Sequence, residues 1–174
     1  MRTDPRHGEW YGVLLLGAAG ATVLVGAADL SLLVVGMLLA SVTGYTLASW
    51  HRADPAGAEA GIKYFFIGAL ANPLLFLGVV FLYGLAGSTG YAALAAELPA
   101  ASPPALFVGA TLVLVGVAFE LGAVPAHPWV PDVAEASPAP AAAFLTVAPK
   151  LGALVALARV LTILPEEVAP WPLL

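Results

Sequence analysis

The sequence predicts an all-α membrane protein with about five transmembrane helices, and three observations predict it. Hydrophobic residues make up 61% of the 174 residues and charged residues only 10%, whereas soluble domains carry about 25% charged residues. Mean hydropathy is +0.96. The apolar stretches are continuous and approach the roughly 20 residues that a helix needs to cross a bilayer. A transmembrane barrel would instead alternate apolar and polar residues along short strands.

Taken in order, the first span is expected near residues 11–28 and the second near 30–50, joined by a tight turn at Asp29. The third covers about 62–85 and holds Pro73, which predicts a kink because proline removes a helical hydrogen bond. The fourth is about 104–124 and the fifth about 141–164. Residues 87–103 read as a loop rich in Gly, Ser, Pro and Ala, with Glu97 and no Lys or Arg. Residues 1–174 read as one transmembrane helical bundle. The opening Met1-RTDPRHGEWY is polar and does not read as a cleavable signal peptide.

Composition also excludes functions. The net charge of −5 sits mostly in loops and ends, and no basic patch supports nucleic-acid binding. With no cysteine, the chain cannot supply thiolates to zinc or iron–sulfur clusters. No Gly-rich dinucleotide fingerprint follows a strand. Arg2 and Arg6 precede the first span, and Arg52 and Lys63 flank the connection between the second and third, whereas the Asp29 turn and the 87–103 loop have no basic residue. The positive-inside rule therefore places the N-terminus and Arg52 in the cytoplasm, and Glu166 and Glu167 outside. Trp10, Tyr11, Trp50 and Trp171 fall at span ends, where amphipathic aromatics belong.

Two ionisable residues interrupt the apolar runs: Glu120 in the fourth span and Lys150 in the fifth. A charge at bilayer depth costs at least about 2.5–3.5 kcal/mol, so it usually faces a protein interior or wet cavity and moves ions or protons. The structural alternative is a charge paired within the bundle or snorkelling to the interface. Between them, VPAHPWVPDVAEASPAP spans residues 124–140 with Pro125, Pro128, Pro131 and Asp132. It reads either as an ordinary loop or as a helix broken inside the membrane whose freed backbone lines a polar cavity. Asp132 is expected to cap the resumed helix, and Arg159 to snorkel at the outer end of the fifth span. Glu59 and Lys63 are spaced for an i,i+4 ion pair. Ser41, Thr43 and Tyr45 are candidates for hydrogen bonds between helices, with packing the default.

The blocks GEWYG, ADLSLLVVGMLLAS, EAGIKYFFIGAL, LYGLAGSTGY and GVAFELGAVPAHPWVPDVAEASPAPAAAFLTVAPKLGALVALARVL together resemble the N subunit of proton-pumping NADH–quinone oxidoreductase, respiratory complex I. That subunit belongs to an antiporter-like family shared with multisubunit sodium/proton antiporters. The family's subunit is far longer and built from inverted repeats, and this chain resembles the first repeat almost alone. The resemblance implies that the fourth span is a broken helix, that the chain lies in a prokaryotic cell (inner) membrane beside other membrane subunits, and that it holds no cofactor itself. NADH, or another donor, and quinone would be handled by those partners.

The resemblance also implies roles. Lys150 matches a buried lysine on the family's proton path, and His127 matches the histidine of the V-P-x-H pattern, a relay candidate or a polar cap of the break. Lys63 matches the lysine of E-A-x-x-K-Y. Glu120 stands where the family has a central lysine, and Leu38 where it has a glutamate in the second span. Two readings follow. Either Glu120 takes over as the protonatable centre, or the channel has lost conduction and the chain is a truncated assembly subunit. A cation/proton antiporter subunit is the remaining alternative.

Overall fold

The computed structural model describes residues 6–51, 53–165 and 168. Arg2, Arg52, Glu166, Glu167 and Trp171 lie outside them. Among the described residues the order is α1 (His7–Gly26), α2 (Leu30–Ala48), α3 (Pro55–Ala86), α4 (Tyr91–Glu97), a 3-10 turn (Leu98–Ala100), α5 (Pro103–Leu121), α6 (Trp129–Ala136) and α7 (Ala139–Ile163). Five of these helices, α1, α2, α3, α5 and α7, are long and apolar enough to cross a membrane.

Local chemistry sets the ends. The Asp29 carboxylate accepts the Leu32 amide at 2.8 Å, satisfying one of the free donors at the start of α2. Asp54 does the same for Ala56, with Pro55 in the first turn, where a missing amide costs nothing. That cap starts α3 well before residue 62. The charges Glu59 and Lys63 break the apolar run there, and they hide the helix from a hydropathy reading. The helix continues through Pro73. The expected 87–103 loop holds α4 and the 3-10 turn, with Leu94 and Leu98 fully buried.

The five long helices close a ring, α1 on α2, α2 on α3, α3 on α5, α5 on α7 and α7 back on α1. α6 lies against α3 and α7. At Gly78 a Cβ would approach the Val113 amide nitrogen to 2.7 Å, so α3 and α5 touch through backbone, the small-residue packing common between membrane helices. The interior divides into two clusters. One, around Leu24, Leu33, Leu82 and Leu98, lies toward the Asp29 turn. The other is aromatic, built on Trp10, Tyr64, Phe119 and Trp129 at the opposite end. Trp10 and Trp50 are 5% and 6% exposed. They stand beside the start of α1 and the end of α2, as expected of span-end aromatics, with their rings turned into the bundle, while Tyr11 faces outward at 54%. Residues such as Leu15, Phe66 and Leu70 present apolar side chains on the outer face, as lipid or a neighbouring subunit requires.

Candidate functional site

The site forms where α5 stops. Gly122 adopts a left-handed conformation with φ of 67°, the usual way to end a helix. Leu121, the last helical residue, keeps a carbonyl that has no next turn to bond. The Lys150 ammonium donates to that carbonyl at 2.8 Å. A cation suits this position, because the C-terminal end of a helix carries partial negative charge. Lys150 is the twelfth of the 25 residues of α7. At about 1.5 Å per residue it stands near mid-height in the bundle, so α5 ends inside the membrane-spanning part.

Seven residues separate α5 from α6, with Pro125 and Pro128 among them. Pro131 is not in the break. It occupies the first turn of α6, where no amide is needed. Asp132 is not a cap either: Pro128 holds the N-cap position and no side chain caps the helix. Its carboxylate instead meets Lys63 at 3.1 Å, while Glu59 meets the same ammonium at 2.8 Å. These three tie α6 to the first turns of α3. Both pairs are well exposed, so their attraction is screened and contributes little to stability.

Trp129, the first residue of α6, is 1% exposed. Its indole donates to the Phe119 carbonyl at 3.2 Å, its ring stacks on Tyr64 at 4.0 Å, and Lys150 sits 5.1 Å from its centroid. The indole thus adds a second donor to a carbonyl that the Gly122 amide already meets at 3.0 Å, and its π face helps hold the ammonium. Sequence reasoning passed over Trp129, although its place in V-P-A-H-P-W was a signal.

Glu120 is 1% exposed. One carboxylate oxygen accepts from the Ser41 hydroxyl at 3.4 Å; the other, Oε1, is buried with no hydrogen-bond partner. Leu38 is 44% exposed on the outer side of α2, and Ser41 is the residue of that helix that reaches the carboxylate. Nearby, Asn72 donates to the Tyr45 hydroxyl at 3.4 Å, and its own Oδ1 is likewise buried and unpartnered. Asn72 carried no weight in the sequence because a lone amide in an apolar run has no motif. Thr43 bonds back to its own helix.

The structure therefore brings Glu120 and Lys150 to the same helix end without a direct bond between them. His127 is exposed on the connection, apart from that end. Arg159 reaches toward the Asp29 turn, where it donates to the Ala27 carbonyl at the end of α1. Among the described residues no group of acids and histidines is arranged to hold a metal ion.

A membrane-helix family, the NADH:quinone oxidoreductase/Mrp antiporter family, matches residues 27–172. The chain belongs to this family. Subunit N of NADH-quinone oxidoreductase from Mycobacterium sp. (strain JLS) is 51% identical over 174 residues, 100% of this chain and 37% of that protein. Subunit N 1 from Streptomyces griseus is 46% identical, over 97% of this chain and 36% of its own length. The chain thus spans about a third of the length of these relatives. Among solved structures, respiratory complex I from Thermus thermophilus with bound aureothin matches with a TM-score of 0.79 and 34% identity, covering 91% of this chain and 35% of that one. The membrane-bound sulfane sulfur reductase, an archaeal respiratory membrane complex, gives 0.85 and 28%, covering 98% and 34%. Membership of the family makes this a multi-pass membrane protein.

Proposed function

We propose that this chain works in the membrane arm of a quinone-reducing respiratory complex and moves protons there through Glu120 and Lys150. One observation carries the reading. A carboxylate is buried at the interrupted end of a membrane helix with an oxygen left unpartnered, beside a lysine that the same helix end holds. A group so expensive to bury persists where proton movement needs it. Glu120 gains and releases the proton, and Lys150 is the next cationic station on α7. His127 sits at the exposed mouth of the break. NADH or another donor, and quinone, are handled by partner subunits, and the N-terminus faces the cytoplasm.

The test uses Glu120→Gln and Lys150→Ala in the assembled complex, reconstituted in vesicles. Each is expected to lower protons moved per quinone reduced by tenfold or more while assembly is retained. Normal pumping in both variants would sink the transport role and leave the non-conducting assembly reading. The family's description also names Mrp antiporters, so the second reading is a cation/proton antiporter subunit. Transport that requires sodium and no quinone would favour it.

A further inference from the structure

A groove of about 750 Å³ opens between α1, α2 and α3. Arg6 and Glu9 at the start of α1 and Ser49 at the C-terminal cap of α2 line one end, with Thr46 and Tyr45 further along α2, while the α3 wall is apolar, formed by residues such as Ile62 and Phe65. Its polar end thus lies at one membrane surface, and its α2 wall leads inward to Tyr45.

From Tyr45 a line of hydroxyls continues to the buried carboxylate. Ser41 is four residues before Tyr45, one helical turn away on the same face of α2. Ser41 in turn donates to Glu120 Oε2 at 3.4 Å. Asn72 fixes the Tyr45 oxygen from α3 at 3.4 Å. Gly68 gives that oxygen its seat, since a Cβ there would overlap it. Asn72 Oδ1 and Glu120 Oε1 are buried acceptors without a partner beside this line, the kind of atom that ordered water normally meets.

We infer that protons reach Glu120 laterally, from the groove between α1, α2 and α3, through the Tyr45 and Ser41 hydroxyls. This rests on Glu120 being the proton-carrying group. Each hop balances: a hydronium in the groove gives a proton to the Tyr45 oxygen as the Tyr45 proton passes to Ser41. The Ser41 proton then forms a new O–H bond at the Glu120 carboxylate. Tyr45 and Ser41 end as neutral hydroxyls after rotating, and Glu120 alone has gained a proton.

Tyr45→Phe tests this in the reconstituted complex, because phenylalanine keeps the ring packing on Tyr64 and Phe65 and removes only the relay oxygen. Proton transport is expected to fall about tenfold in Tyr45→Phe, to recover in Tyr45→His, and to fall as far in Ser41→Ala. The infrared carboxyl band that Glu120→Gln removes is expected to exchange in D2O at least tenfold more slowly in Tyr45→Phe. The chain has no cysteine of its own, so Thr46→Cys reports access, and a membrane-impermeant thiosulfonate is expected to label it in the assembled complex. Where Glu120→Gln stops transport but Tyr45→Phe transports and exchanges at the parent rate, the lateral route is overturned and the functional reading stands. Full transport by Glu120→Gln overturns the lateral route together with the role assigned to Glu120.

Discussion

Any side chain at Gly122 meets two obstacles at once. Its φ of 67° is costly for residues with a Cβ, by about 1–2 kcal/mol, and that Cβ would lie 2.5 Å from both Lys150 Nζ and Val130 Cγ2. Gly122→Ala is therefore expected to lower thermal stability in detergent by about 2–4 °C or more and to push Lys150 off the Leu121 carbonyl. A melting curve beside a transport assay checks this, and an unchanged pair of values counts against the geometry. At this scale the sequence announced Glu120 and Lys150 through their chemistry, since charges in apolar runs stand out. It offered Ser41 and Tyr45 as candidates for hydrogen bonds between helices, which they make, but not Asn72, because a lone amide looks ordinary in a membrane helix until the folded chain sets it beside a partner. Leu38 shows the converse: its position on the outer face of α2 is visible only once helix rotation is known.

Among elements, those with long apolar runs were legible and those with short or charged runs were not. α4 has only seven residues, too few for a period to register, yet its backbone is tied down: Leu30 donates to the Thr89 carbonyl and Tyr91 to that of Ala28. Burial pushes the Tyr91 hydroxyl up to about 12, with Arg159 pulling it down and Asp29 adding to the rise. The usual tyrosine value is about 10. A group whose value is raised on folding contributes stability that is whole below pH 10 and lost as pH climbs through 12. Stability is thus expected to fall between pH 10 and 12, less steeply in Tyr91→Phe, as alkaline unfolding curves would read; identical slopes would contradict the burial. The start of α6 differs from the sequence expectation for a related reason. Asp132 resembles a cap in sequence, but Pro128 takes that position and leaves the carboxylate for Lys63.

Over the whole molecule, the five long helices alternate in direction. Arg6, the end of α2, the start of α3 and the start of α7 share one surface, and the Asp29 turn, α4 and the start of α5 share the other. On the proposed orientation, with the N-terminus inside, a cysteine at Ala53 is expected to react with an impermeant thiol reagent only from the cytoplasmic side. One at Glu97 is expected to react only from outside, and the reverse pattern would invert the assignment. The break between α5 and α6 also shapes how such a protein tolerates change. The Lys150 ammonium is held by a peptide carbonyl, and no codon encodes a carbonyl away. Substitution at Leu121 alters its side chain and leaves the acceptor in place, whereas an alteration that lets α5 run on past Gly122 consumes it. The anchor of the buried lysine is therefore written into chain geometry and shielded from most point mutations, so drift can rework the neighbouring side chains while the cation stays in place.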